Sequence, residues 1–281
     1  MNRPGLARTA ALTVLTLSAF AANSILCRKA LLTEAIDPVS FTALRLGSGA
    51  VVLLPFLRSR ADAPAVWSPR AAAALLAYAI AFSLAYVSLD AGTGALLLFG
   101  LVQVTMIGSG LRRGERLGGL GTVGFLAAAS GVVWLVLPGV SAPNARGAIL
   151  MSIAGIAWGG YSLLGRGLQA PTRATARNFA LAAPGGLLLL VPFASSIAIT
   201  TNGALLAVTS GAVTSGLGYV VWYTALRGHS ATSAAIVQLA VPVLAALGGV
   251  AFLGEQPTTR LVGAGALTLG GVAVALMARR R

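Results

Sequence analysis

Few residues of this chain could do acid–base, metal or nucleophilic chemistry. There are six carboxylates, Glu34, Asp37, Asp62, Asp90, Glu115 and Glu255, with a single histidine, His229, and a single cysteine, Cys27. Zinc sites built by a protein need three or four His, Cys or carboxylate ligands at short spacings, and no such grouping occurs. One thiol cannot make a disulfide framework. A Gly-rich phosphate loop is also missing, so ATP is not expected to drive any process here. The sequence therefore predicts no enzyme, no cofactor and no metal. What remains are neutral polar and aromatic side chains at helical spacing. Tyr78, Phe82 and Tyr86 recur every four residues and so share one helix face. Tyr219 and Tyr223 repeat that spacing, with Trp222 beside them. Phe99, Gln103 and Met106 form another face, and Gln238 stands one turn before Pro242. Asn23, Trp158 and Tyr161 are further candidates. Such groups hold a small solute by stacking and hydrogen bonding, or they pack against helices and lipid; the pattern alone leaves both open.

The elements that would carry them are membrane-spanning. Of the 281 residues, 57% are hydrophobic and 9% charged, against roughly 25% charged in a soluble domain. The net charge of +14 would suggest nucleic acid in a soluble protein. Here the basic residues punctuate apolar stretches instead of forming a stripe, so the implied partner is a lipid bilayer. Arg3, Arg8, an apolar run and Ala19-Phe20-Ala21 resemble a signal peptide, but the internal repeat described below predicts a retained helix. Apolar runs fall at 8–31, 38–57, 69–89, 92–111, 117–136, 146–166, 173–193, 203–226, 229–253 and 258–278. Each approaches the ~20 residues that cross a bilayer core. The expected fold is all-α with ten spans. With the N-terminus in the cytoplasm, the inner connections and termini hold 15 Lys and Arg, among them Arg58, Arg60 and Arg279–Arg281, and the outer ones hold 4. Since Lys and Arg resist translocation, both termini are expected inside.

All six acids fall in loops or at span ends, and His229 falls near the inner surface. Proton relays need buried Asp, Glu or His, so a facilitator running down the solute's own gradient is expected. An unpaired amide at bilayer depth costs about 2–7 kcal/mol, so Gln103 and Gln238 need a helix, water or a ligand. Arg45 lies about two turns into the second span. It can snorkel outward, pair with Asp90, or hold a substrate carboxylate. Arg28 and Lys29 read as interfacial anchors. Gly155-x-x-x-Gly159, Gly118 to Gly124, Gly263 and Gly265 read as helix-packing surfaces.

The chain repeats itself. Phe20 to Arg28 matches Trp158 to Arg166, Tyr86-Val-Ser-Leu89 matches Tyr223-Thr-Ala-Leu226, Gly114-Glu115 matches Gly254-Glu255, and Ser130-Gly-Val132 matches Gly270-Gly-Val272. The halves are 1–139 and 140–281. With five spans each, the second would enter the membrane inverted, as in secondary transporters with a midplane site.

These landmarks, with Phe41-Thr-Ala-Leu-Arg45, Thr93-Gly-Ala-Leu-Leu-Leu-Phe99 and Pro242, resemble the drug/metabolite transporters of the EamA type. The first-helix Trp of that family is Phe20 here, and Val102-Gln103 replaces its fourth-helix Pro. The resemblance implies ten-helix carriers, many of them exporters of amino acids and related metabolites. The expected function is export or facilitated diffusion of amino acids across a bacterial inner membrane by alternating access, with other metabolites or lipophilic drugs as the alternative. The implied partners are a small-molecule substrate, the bilayer and, optionally, a second copy of the chain, but no nucleic acid.

Overall fold

Short polar residues and prolines set where the helices begin. The carboxylate of Asp37 accepts from the amides of Val39 and Ser40 at 3.0 and 2.9 Å, starting α2 (Pro38–Leu57). Ser68 caps α3 (Pro69–Tyr86), Asn144 caps α6 (Ala145–Leu164) and Thr200 caps the helix that starts at Thr201, each oxygen taking up an amide of the first turn. Pro69 and Pro171 sit where a missing N–H costs nothing. The computed structural model describes residues 5–57, 68–114, 116–166, 168–229 and 231–278. Arg3, Arg58, Arg60, Asp62, Glu115 and Arg279 to Arg281 lie outside these.

The remaining helices are α1 (Leu6–Leu32), α4 (Ala91–Arg112), α5 (Gly119–Val136), α7 (Pro171–Leu188), α8 (Thr201–Leu226), α9 (Ala231–Gln238 continuing as Ala240–Leu253) and α10 (Thr259–Ala278). Nine helices among the described residues are long and apolar enough to cross a membrane. The exception is α7, whose Arg173, Arg177 and Asn178 keep it below that level. Its expected span, 173–193, ends as a helix at Leu188, and a 3₁₀ turn, Val191–Ser196, follows. Outward faces are apolar, as lipid requires: Ile149, Ile153 and Ile156, spaced along one side of α6, are all exposed.

Two helices are irregular for identifiable reasons. α8 widens into a π-helix over Ser210–Leu217. There the Ser48 hydroxyl donates to the Val208 carbonyl, and a side chain inserted into the backbone ladder distorts a helix. α9 breaks at Leu239. Pro242 offers no N–H to the Gln238 carbonyl four residues back and crowds it.

α1 packs on α8 and α9, α6 on α3 and α4, α2 on α7, α4 on α9, and α5 on α10. The α5–α10 contact is glycine-mediated. A Cβ at Gly124 would come 2.5 Å from the Ala275 nitrogen, so only glycine allows this backbone approach. Gly155 and Gly159 pack in the same way on Leu98 and Thr105 of α4. By contrast, Gly118 and Gly119 face open space.

The connections α1–α2, α3–α4, α5–α6, α7–α8 and α9–α10 meet at one end. Asp37 accepts from the Ala198 amide, and Thr200 donates through both its amide and its hydroxyl to the Ala35 carbonyl. Ser88 donates to Asn144, and Arg260 to the Leu137 carbonyl. Gly254 ends α9 at φ 68°, a left-handed cap that glycine adopts without strain, and turns Glu255 onto the first amide of α4. Both carboxylate oxygens of Glu255 accept from the Ala91 N–H, at 3.0 and 2.9 Å. Arg28 completes the tie. It donates to the Tyr86 and Val87 carbonyls at 3.0 and 3.1 Å and pairs with Asp90 at 3.5 Å and Glu255 at 3.4 Å. It is therefore a buried cross-link, not the interfacial anchor expected from its position near a span end. Lys29, next to it, is exposed. Burial pushes the Glu255 carboxyl above its ordinary range, Asp90 adding to this, in spite of the Ala91 amide and Arg28.

Candidate functional site

α1, α3, α4, α6, α8 and α9 converge on a central cavity of ≈ 30 Å³. Its wall comprises Phe20, Asn23 and Ser24 from α1, Tyr78 and Phe82 from α3, Leu98 and Phe99 from α4, Trp158 from α6, Thr214, Ser215 and Tyr219 from α8, and Gln238 from α9. A water needs about 10–15 Å³ of such space, so the cavity has room for about two or three waters and would have to widen for any organic solute.

Trp158 is the hub of the aromatic wall. Its ring stacks on Tyr219 (centroids 5.1 Å, planes 27° apart) and on Tyr161 (5.1 Å, 23°), and lies 4.8 Å from Tyr78. Phe20, at the position matched to Trp158 in the repeat, meets Tyr219 edge-on at 5.7 Å. The polar wall is made by the π-helical segment. Ser210, Thr214 and Ser215 all donate to Asn23 Oδ1, at 2.7, 3.1 and 3.5 Å. The Ser215 oxygen also accepts from Arg45 Nε at 3.3 Å, and the Tyr78 hydroxyl accepts from Arg45 Nη2 at 2.8 Å.

Arg45 is 2% exposed. It neither snorkels nor pairs with Asp90, which is taken by Arg28. The reason is packing: α2 faces the π-helix of α8, and the guanidinium slots between that segment and the rings of Tyr78 and Phe82, 5.0 and 4.6 Å from their centroids.

A second cavity, of ≈ 130 Å³, lies at the end opposite the tied connections. It is lined by Ser68, Tyr161, Gly165, Pro171, Thr175, Asn178 and Tyr223, among others. The Tyr161 hydroxyl donates to Thr175 and accepts from Asn178, both at 3.4 Å. The stacked Trp158–Tyr161 pair stands between the two cavities, one ring on each.

The sequence-derived candidates thus divide. Asn23, Tyr78, Phe82, Phe99, Trp158, Tyr219 and Gln238 meet around the centre; Tyr161 and Tyr223 line the second cavity. Tyr86, Gln103 and Trp222 line neither. Tyr86 is fully buried, with its hydroxyl on the Ala91 carbonyl at 3.3 Å and its ring edge-to-face with Phe82. Trp222 packs with Ala225, Ala234 and Phe20, and Gln103 is buried in α4. The expected opposition of Tyr86 to Trp222 and Tyr223 is not what forms: Tyr86 is held at the turn into α4, Trp222 packs in a cluster with Ala225 and Ala234, and Tyr223 lies on the second cavity. Wall residues not singled out from sequence are Phe20, Ser24, Leu98, Thr214 and Ser215. The run Ser210-Gly-Ala-Val-Thr-Ser-Gly216 inside an apolar span was the available signal.

Residues 145–277 match the EamA-like transporter family. A protein of Pseudomonas aeruginosa, "Uncharacterized protein PA1977", is 55% identical over 274 residues, 97% of this chain and 96% of its own length. A solved crystal structure at 24% identity superposes with a TM-score of 0.67 over 96% of this chain and 98% of its own. That likeness speaks for the fold.

Proposed function

We propose that this chain, which belongs to the EamA-like transporter family and is accordingly a multi-pass membrane transporter of small solutes, is an alternating-access carrier of amino acids with broad choice. The observation that carries this reading is the central cavity. Aromatic rings and neutral hydroxyl and amide groups from six helices surround it, and none of its lining residues is a carboxylate. Rings accept varied apolar side chains, while the polar wall supplies bonds to a common head group.

The site sits between two inverted halves of five spans each, α7 being the tenth span with its arginines near one surface. The helix pairings support this. The first helix of each half packs on the third and fourth of the other, and the second and fifth pack on their counterparts. The landmark glycines Gly114 and Gly254 share positive φ, 87° and 68°. The family match itself falls on the second half. Among the described residues, Arg8, Arg70, Arg112, Arg113, Arg116, Arg166, Arg173, Arg177 and Arg227 lie at the end away from the tied connections. That end is therefore the cytoplasmic side of an inner membrane, with both termini inside.

Widening toward either side would be a rocking of one helix group against the other, with the Trp158–Tyr161 stack as the inner partition. The described carboxylates all lie in connections, so flux follows the solute gradient.

Purified protein in lipid vesicles should give saturable counterflow of several labelled amino acids, persisting when an uncoupler collapses the proton gradient. If no amino acid moves, that substrate reading fails. The apolar wall contributed by Phe20, Phe82, Leu98 and Phe99 makes lipophilic drugs and other metabolites the second set to test. Strict dependence on the proton gradient would contradict the facilitator reading.

A further inference from the structure

Arg45 is a permanent cation held in the interior with no anion beside it. Among the described residues the ion pairs are those of Arg28 with Asp90 and Glu255. Arg45 Nη1 is buried with no hydrogen-bond partner among the described residues. Removing a charge from water without a counterion is expensive, so the arrangement is complete only when a negative group approaches.

The protein groups that bond Arg45 are also the cavity wall. The Tyr78 oxygen accepts from Arg45 Nη2 and makes no further bond among the described residues, which leaves its own proton to donate, and the guanidinium polarises it. Ser215 accepts from Arg45 and passes its proton to Asn23 Oδ1, which also takes the proton of Ser210, while Thr214, 3.1 Å away, makes its shorter bond of 2.8 Å to the Ser210 carbonyl. With that oxygen filled, the Asn23 amide N–H₂ is the group left to donate from a residue that lines the cavity. Two neutral donors backed by one cation fit the two oxygens of a carboxylate. No acid lines the cavity to pair with an ammonium.

We infer that the central cavity is a carboxylate site, with the Tyr78 hydroxyl and the Asn23 amide as donors and Arg45 as countercharge. Its solutes are organic monoacids in which the carboxylate is obligatory and the amino group optional. This rests on the carrier reading and narrows it: an α-hydroxy acid is carried like the amino acid of the same side chain, and the amino acid amide is not.

The test uses full-length protein in vesicles. The amino acid with the largest counterflow is labelled, and its unlabelled hydroxy acid and its amide compete with it. The hydroxy acid should compete within about three-fold of the amino acid and the amide about ten-fold or more weakly, as expected for loss of a charge-assisted hydrogen bond. Tyr78→Phe keeps the ring and should flatten the acid-over-amide preference. Arg45→Lys should retain part of the preference and Arg45→Gln lose it. Should Arg45→Gln fail to elute as a single species in detergent, Tyr78→Phe decides. An amide that competes as well as the acid, or a preference unchanged in Tyr78→Phe, overturns the carboxylate site and leaves the carrier standing. Counterflow of no amino or hydroxy acid at all overturns the carrier reading and the inference with it.

Discussion

At one end of the bundle, Arg28, Asp37, Asp90 and Glu255 stitch four of the five helix connections together through ion pairs and backbone amides. At the other end, Tyr161, Thr175, Asn178 and Tyr223 surround a cavity of ≈ 130 Å³, held by two long hydroxyl bonds of 3.4 Å and by the stack of Tyr161 on Trp158. The first end is built from charge-assisted contacts of fixed geometry, strong when made and costly when half made. The second is built from sliding aromatic contacts, each worth about 0.5–1.5 kcal/mol beyond the area it buries. A carrier that alternates must break one end and make the other. For the proposed alternating-access carrier, the contrast reads as a conformation closed at the tied end, with Arg28 as the first latch to release.

Removing that latch should have the largest effect. Arg28→Gln leaves Glu255 and two carbonyls without their partner and should destabilise the protein by about 3 kcal/mol, seen as a lower Tm in detergent. Cys27, the only cysteine, is fully buried beside Arg28. In the variant it should react several-fold faster with a membrane-impermeant maleimide. An unreactive Cys27 together with an unchanged Tm would mean that this end is not held by Arg28, and the comparison would fail.

The partition between the cavities comes next. Trp158→Ala removes three ring contacts and should lower counterflow by about ten-fold, while Trp158→Phe keeps most of it. Trp222→Ala, outside both cavities, should stay within about two-fold of the parent. Equal losses from both variants would show that the cavity walls have no special place in transport.

Asp37 gives a smaller, pH-dependent test of the tied end. Partial burial alone would raise its carboxyl, but bonds from Ser40, Ala198 and Val39 outweigh this and hold it below the ordinary value. A depressed carboxylate stabilises the fold above its unfolded pKa, about 3.9, and loses that contribution as pH falls through the folded value. Asp37→Ala should cost about 1 kcal/mol at neutral pH, with the gap to the parent closing below about pH 4. A gap that is independent of pH would rule out the charge as its source.

The smallest effect sharpens the division among the aromatic residues. Tyr86→Phe loses one hydroxyl bond to the Ala91 carbonyl and should cost about 1 kcal/mol or less, with the acid-over-amide preference unchanged. The same exchange at Tyr78 should remove the preference. If both variants alter it alike, the line drawn between cavity wall and packing residue is misplaced.

Within one helix, sequence was a good guide. Apolar runs and their punctuation marked the helices, because burying backbone in lipid forces local hydrogen bonding and so ties structure to hydropathy along the chain. Tyr78, Phe82, Trp158 and Tyr219 could be picked as a central group from spacing and repeat. What the sequence could not determine was which neighbour each face would meet. Tyr86 and Phe82 share a stripe, yet only Phe82 reaches the cavity, since Tyr86 is claimed by the turn into α4. Tyr219 and Tyr223 share another, and the one helical turn between them, ~6 Å of rise, puts them on different cavities. Arg28 makes the pair with Asp90 that was one of the roles open to Arg45. The one near a span end is the buried latch, and the one that might have reached the surface is enclosed without a counterion. Those outcomes depend on a hydroxyl from α2 reaching a carbonyl of α8, and on glycines that let particular helices approach. Such contacts join residues more than fifty positions apart, so only the packed structure decides them.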